Sequence, residues 1–387
     1  MKKSKKTNIF INEKTFLNTR NFNRGKLIKK QQKIKSKLFY KYFLYIIAFL
    51  IIFFAIIFFI YLLQPKKSAS VNNIKEQYIK NKKYFNNIIE PYIKTQKDFC
   101  ENNNKYINEK YENEIFLSDV KINGLNYQMY IFNSTNFILN EFKQYGAYEI
   151  PLSNNIIGAL KFYASKYNIK NNKDIFMLDI GSNVGWYPSF LGRYNYTILC
   201  FEAFKRNYYV ATKNYCYLNK DSNVIIITKG LGEKEKLCHY FNQVKNPGNG
   251  MVICDDNKKN LSDSKLGRMF IKDSDVEITT LDTFMPYLSN KNISLMKIDV
   301  EGYEYEVLKG GKELITKYYV PFVALEFSPG YLKEVGSEPR ELAQFFVDNG
   351  YKISLKGFLS KEFISVDELL NRAGIQVNCY FIHDSIL

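Results

Sequence analysis

Histidine is nearly missing from this sequence, with His239 and His383 the only two among 387 residues. The six cysteines (Cys100, Cys200, Cys216, Cys238, Cys254 and Cys379) are scattered, with no Cys-x-x-Cys pair. So few ligands in so loose a pattern argue against zinc, and no metal site is expected. Cys200 and Cys216 stand among apolar and aromatic neighbours, which reads as buried thiols rather than bridge partners. No disulfide framework is predicted. Acidic residues are scarce at the N-terminal end, where residues 1–41 hold fourteen Lys or Arg against Glu13 alone. Of the net charge of +17, this segment carries +13, leaving +4 for everything after it. A folded part so close to neutral does not read as a nucleic-acid-binding surface.

Charge is absent altogether from Tyr42 to Leu63, which reads YFLYIIAFLIIFFAIIFFIYLL. As a helix this run spans roughly 33 Å, enough for a hydrocarbon core of about 30 Å. A signal peptide would have a shorter apolar core and a shorter leader. Residues 42–63 are therefore expected to be a transmembrane helix. Fourteen positive residues precede it and only Lys66 and Lys67 follow closely, so the positive-inside rule places residues 1–41 in the cytosol as a disordered basic tail. The remainder is then lumenal or extracytoplasmic.

Residues 64–114 are polar, rich in Lys, Asn and Tyr, and broken by Pro65 and Pro91. They are expected to form a stem, with the folded domain at 115–387. Alternation from Val120 to Phe132 around Asn123-Gly124 predicts a hairpin. A helix is expected near Asn154–Tyr167. Further on come strands near Val224–Thr228, Leu237–Phe241, Ser294–Ile298 and Val320–Phe327, with a glycine loop at Asn246–Gly250. A helix at Pro339–Asn349 and a terminal pair of strands, Tyr351–Leu355 and Asn378–Ile382, complete the pattern. Alternating strands and helices imply an α/β sheet with helices on both faces.

Within that frame Ile175–Phe204 reads IFMLDIGSNVGWYPSFLGRYNYTILCFEAF. A buried strand closes on Asp179, a glycine turn follows through Gly181 and Gly185, and a second strand closes on Glu202. The middle glycine of the dinucleotide pattern Gly-x-Gly-x-x-Gly is missing. A turn with less need to approach a pyrophosphate suits a nucleoside carrying an amino acid, which points to S-adenosylmethionine. Asp299, at the end of a later strand, joins Asp179 and Glu202 at the carboxyl edge where such sheets bind ligands. Glu202 is placed to accept ribose hydroxyls. Asp299 and Glu301, two apart around one strand end, are the candidate bases for an alcohol nucleophile. His239 is the alternative base. Glu304, Glu306, Lys309 and Lys312 read as a solvated helix face.

The pairing of LDIGSNVG…FEAF with TTLDTF…MKIDVEGYEYEVLKGG resembles the FkbM-type S-adenosylmethionine-dependent methyltransferases over roughly residues 148–329. The resemblance implies a class I methyltransferase (Rossmann-like) fold, a seven-stranded sheet with one antiparallel strand, and O-methylation, often of sugar or polyketide hydroxyls. It also implies that Glu149, Asp179, Gly181, Asn183, Gly185 and Glu202 hold the cofactor while Asp299 and Glu301 face the transferred methyl. Ser182, Val184 and Ala203 are mild departures from the family pattern.

The leading expectation is a membrane-anchored O-methyltransferase acting on a glycan-like or other hydroxylated acceptor. A nucleic-acid methyltransferase is one alternative, opposed by the span that separates the basic tail from the catalytic part. A tethered cofactor-binding module without turnover is the other, opposed by the intact Asp179, Gly181, Gly185 and Glu202.

Overall fold

The computed structural model describes residues 88–102, 109–133, 137–218, 223–243, 246–254 and 268–387. All belong to one compact unit that begins at Tyr78. The tail expected at 1–41 and the span expected at 42–63 lie outside the described residues. Among those described, no helix is long and apolar enough to cross a membrane.

Thirteen strands are described: β1 (Ile115–Ile122), β2 (Leu125–Phe132), β3 (Phe176–Ile180), β4 (Thr197–Phe201), β5 (Val224–Ile227), β6 (Gly230–Leu231), β7 (Lys236–Gln243), β8 (Asn246–Ile253), β9 (Arg268–Thr279), β10 (Ile293–Ile298), β11 (Phe322–Phe327), β12 (Tyr351–Ser354) and β13 (Val377–His383). The central sheet has seven of them in the order β12-β13-β11-β10-β3-β4-β5. β11, β10, β3, β4 and β5 run parallel, and β13 is inserted antiparallel between β11 and β12. Strands β3, β10 and β11 are buried almost throughout because helices cover both faces of the sheet. One face packs against Ile150–Lys166 and Trp186–Gly192; the other packs against Glu304–Gly310 and Pro339–Asp348.

Asn123 and Gly124 both take positive φ, 51° and 79°, and close the β1–β2 hairpin in the register their sequence predicts. The hairpin is fastened to the helix Lys205–Cys216 by the buried amide of Asn214. That side chain accepts from the Tyr130 N–H at 2.6 Å and donates to the Tyr130 carbonyl at 2.9 Å.

Three expectations are corrected. Asn246–Gly250 is not a loop but the start of β8, paired with β7 in a separate four-stranded sheet of order β6-β9-β7-β8. Gly250 is needed because Tyr240 of β7 crosses it: a Cβ there would lie 1.4 Å from the Tyr240 hydroxyl. The second correction concerns cysteine. Cys100–Cys216 and Cys238–Cys254 are disulfides, whereas Cys200 and Cys379 are buried and free. Partners 116 residues apart in sequence come within 5.3 Å between Cα atoms because two helices pack side by side, a proximity that spacing alone does not reveal. The third correction concerns the stem expected at 64–114, of which 64–87 and 103–108 lie outside the described residues. The helix Glu90–Glu101 inside it is packed on the sheet edge. Its buried Gln96 donates to the Val224 carbonyl at 3.1 Å and accepts from the Ile226 N–H at 3.0 Å, pairing groups that edge strand β5 would otherwise leave bare.

Candidate functional site

A cavity of about 560 Å³ opens at the carboxyl ends of the parallel strands. Gly181 and Asn183 come from the turn after β3, Glu202 from the end of β4, and Lys229 and Leu231 from the segment after β5. Asp299 and Glu301 follow β10, Glu326 lies at the end of β11, and Asn378 enters from β13. Because β13 is antiparallel, its first residues meet the last residues of β11, and Asn378 stands opposite Glu326 in register. Tyr148 and Glu149 close one side, ahead of the helix Ile150–Lys166. Tyr240 and Val252 reach in from the four-stranded sheet, where Tyr240 stacks on Phe204 with ring centres 3.9 Å apart.

The turn after β3 is shaped by its neighbours. Gly181 has φ +83°, and a Cβ there would meet the Asp299 carbonyl oxygen at 1.8 Å. Gly185 has φ +79° and packs on Ala211; it is not part of the cavity wall. Glu202, almost fully buried, accepts the amide N–H of Asn183 at 2.7 Å and that of Phe204 at 2.8 Å. Burial pushes its carboxyl up to about 7, with those two amides pulling the other way. Each oxygen retains a second lone pair for a ligand hydroxyl. Asn183 takes φ +50°. Its side-chain oxygen is buried without a hydrogen-bond partner, as is the hydroxyl of Ser182 beside it. Orphaned polar atoms at the turn beside Glu202 fit an S-adenosylmethionine cofactor, whose amino acid and ribose supply donors and acceptors.

Asp179 sits behind the wall rather than in it. It is fully buried, neither oxygen has a hydrogen-bond partner, and the Lys297 ammonium lies 4.0 Å away. Burial pushes the Asp179 carboxyl up to about 6, against the pull of Lys297. Lys297 is itself buried and bonds Asp299 at 2.9 Å. Burial alone would lower its pKa, but Asp299, Asp179 and Glu149 around it hold the ammonium charged.

The segment after β10 is tightly turned, with Glu301 at φ +55° and Gly302 at φ +102°. Glu304 holds it: one carboxylate oxygen accepts the N–H groups of Val300 at 3.2 Å and Gly302 at 3.1 Å. The reading of Glu304 as a solvated residue is therefore corrected, since it has no solvent exposure. A short helix turned against the sheet end buries the residue that its polar neighbours suggest is outside. Glu306 and Lys309 do pair at the surface, at 2.7 Å.

Carboxylate oxygens of Asp299, Glu301 and Glu326 lie within 4.8 Å of one another, a grouping able to hold a divalent ion. Glu149, in a left-handed conformation at φ +45°, accepts the Tyr187 hydroxyl at 2.8 Å. Burial first, and the nearby Asp299 in addition, push its carboxyl up to about 7 while Lys297 opposes them. Glu326 accepts the side-chain N–H of Gln376 and is raised well above the usual carboxylate range by burial and by Asp299 and Glu301. Sequence reasoning passed over Glu326 and Gln376. Glu326 nevertheless follows the same rule of an acid closing a parallel strand that marks Asp179, Glu202 and Asp299. His239, the alternative base, pairs with Asp275 at 3.0 Å on the four-stranded sheet and does not line the cavity.

Residues 179–353 match the family model described as the methyltransferase FkbM domain. Methyltransferase 1 of Beauveria bassiana (strain ARSEF 2860) is 27% identical over 146 residues, covering 35% of this chain and 58% of that protein. The chain thus spans somewhat more than half the length of that relative. Magnesium protoporphyrin IX methyltransferase from Synechocystis PCC 6803, solved with bound SAM, superposes with a TM-score of 0.33 at 11% identity, covering 65% of this chain and 86% of the other. Monomeric WbdD gives 0.35 at 12% identity, with 65% and 45% covered.

Proposed function

We propose, from the match of residues 179–353 to the FkbM methyltransferase domain, that this protein is a membrane-anchored O-methyltransferase acting on a hydroxylated, glycan-like acceptor. Its cofactor is S-adenosylmethionine, which supplies an electrophilic methyl group when bound. The observation that carries the reading is the single cavity wall that joins Gly181, Asn183 and Glu202 on one side to Asp299, Glu301 and Glu326 on the other. The first group would hold the cofactor, with Glu202 accepting from the ribose hydroxyls and Asn183 facing the amino-acid end. Asp179 and Gly185 support this turn from behind.

The second group would receive the acceptor. Alignment of a hydroxyl with the methyl is the main requirement of such a transfer, and removal of the hydroxyl proton is the other. Asp299 is tied to the Lys297 ammonium at 2.9 Å, which fixes its direction. Glu301, held into the cavity by the Glu304-bound turn, is the carboxylate offered as base.

The membrane anchor is residues 42–63, with the catalytic part on the lumenal or extracytoplasmic side. Two disulfides support that side, because such bonds persist where the compartment is oxidising. Calorimetry of the full-length protein in detergent micelles tests the cofactor reading. Saturable binding of S-adenosylmethionine is expected, and its absence would refute the proposal. Glu202→Ala should weaken that binding by about 10- to 100-fold, the scale of losing charge-assisted hydrogen bonds.

A further inference from the structure

The β7–β8 hairpin meets the cavity with one of its faces. Side chains alternate along a strand, so Cys238 and Tyr240 of β7 share a face with Val252 of β8 and with Cys254 just after it. Tyr240 and Val252 stand opposite each other in register, and both line the cavity. Cys238 and Cys254, one step beyond the pair His239–Ile253, are joined as a disulfide. All four pack with Ala203 and Phe204 in one apolar cluster.

Two contacts tie this face to segments that carry the site. Tyr240 stacks on Phe204, whose N–H donates to Glu202 at 2.8 Å. On the other side, Cys254 Sγ lies 3.2 Å from the Tyr303 hydroxyl, and Tyr303 directly follows the turn through Glu301 and Gly302. With the ribose on Glu202 and the amino acid towards Asn183, the base of the cofactor falls beyond the ribose, against Ala203, Tyr240 and Val252. Among the described strands β8 stands at the end of its sheet and pairs with β7 alone. Its ladder runs from His239–Ile253 to Asn242–Gly250 before the register shifts. So short a pairing holds an end strand weakly, and the bridge fastens the end away from the hairpin turn.

We infer that the Cys238–Cys254 bridge is a working part of the cofactor site: closed, it keeps Tyr240 and Val252 as a fixed wall beside the base, and opened, it lowers the affinity for the nucleoside. This rests on the methyltransferase reading above and adds an oxidation requirement to it. Opening is thiol–disulfide exchange. Cys254 is partly exposed and Cys238 is buried, so a thiolate of a small dithiol attacks the Cys254 sulfur. The S–S bond breaks, and the Cys238 sulfur leaves with the electron pair and takes a proton. The second thiolate of the dithiol then displaces Cys254, which is protonated in turn. One dithiol is oxidised to its cyclic disulfide as one protein disulfide becomes two thiols.

The test titrates full-length protein in detergent micelles with S-adenosylhomocysteine, which carries the same nucleoside, by calorimetry before and after dithiothreitol. Cys100→Ala/Cys216→Ala removes the other bridge and serves as the background. In the parent and in this variant, dithiothreitol should weaken binding about tenfold, the scale of having to order two wall side chains on binding. Reoxidation should restore it. Cys238→Ala/Cys254→Ala should bind about tenfold more weakly from the outset and ignore dithiothreitol. Hydrogen exchange of the reduced protein should show protection lost within residues 236–254 and kept within 176–202. Equal affinity with the bridge closed and open would overturn the inference. So would a bridge that stays closed in dithiothreitol, a response that disappears in Cys100→Ala/Cys216→Ala, or a loss of protection that spreads to 176–202. Should Cys238→Ala/Cys254→Ala fail to fold, the reversible titration in the other variant decides alone. Failure of the oxidised parent to bind the nucleoside is a separate result, and it would refute the methyltransferase reading first.

Discussion

Glu304 has no contact with solvent, yet it bonds two amides of the turn that carries Asp299 and Glu301. Burial raises its carboxyl from the ordinary 4.5 to about 7, with those amides opposing. The folded state therefore keeps a proton that the unfolded chain releases once pH passes the ordinary value. The resulting stability is fully present below about pH 4.5 and is lost as pH rises through about 7. Glu304→Gln can still accept both amides but cannot titrate. Its melting temperature should fall less than that of the parent protein between pH 5 and 7.5, as followed by thermal denaturation. An identical slope for both proteins would remove Glu304 from this role. Gly181 offers a sharper test of the adjoining turn. Alanine there would combine a positive φ with a Cβ 1.8 Å from the Asp299 carbonyl, and the loss of stability by urea denaturation should be about 3 kcal/mol. At this scale the sequence was readable where a side chain closes a strand, as with Asp179, Glu202 and Asp299. It was not readable where burial depends on how a short helix turns against the sheet end, as with Glu304. Nor did it show that Asp179 would face Lys297 instead of the cavity, because both directions leave the same residue at the same strand position.

Strands β3, β4, β10 and β11 could be found from their apolar runs, and the β1–β2 hairpin from Asn123-Gly124, because each signal is local. Of the four-stranded sheet, β7 alone has such a signal, at Leu237–Phe241. The sheet's pairings join Gly230 to Ile278 and Lys236 to Ile278 across more than forty residues, so the reach of Tyr240 and Val252 into the site was not legible even where the strand was. The helix Glu90–Glu101 was hidden for a different reason. Its composition is that of a solvated stretch, and Tyr92, Ile93, Gln96, Phe99 and Cys100 mark the face turned to the fold. Gln96→Ala would leave the Val224 carbonyl and the Ile226 N–H unpaired at a buried edge. The expected cost is about 1–3 kcal/mol, read as a lower urea midpoint with an unchanged slope.

For the molecule as a whole, the uneven charge of the chain and the oxidised cysteines bear on the same question from different directions. Positive residues ahead of 42–63 orient a span, and disulfides belong to the side on which thiols stay oxidised. A glycosylation acceptor tag placed after Leu387 should be modified in cells that carry the enzyme for it, seen as a mobility shift reversed by a deglycosylating enzyme. An unmodified tag would put the catalytic part in the cytosol, where S-adenosylmethionine is made.

The disulfide between Cys100 and Cys216 also sets how this domain would respond to being pulled. Any tension applied to the chain ahead of Ile88 enters the fold through the helix Glu90–Glu101, which lies along the edge of β5. Without a crosslink, that helix could peel away and leave the edge strand exposed to the same load. The covalent bond at its far end stops the peeling at Cys100 and ties that point to Cys216, at the end of the helix Lys205–Cys216. Load entering ahead of Ile88 is thus held at Cys100 by a covalent bond, where packing and hydrogen bonds alone would have to resist it.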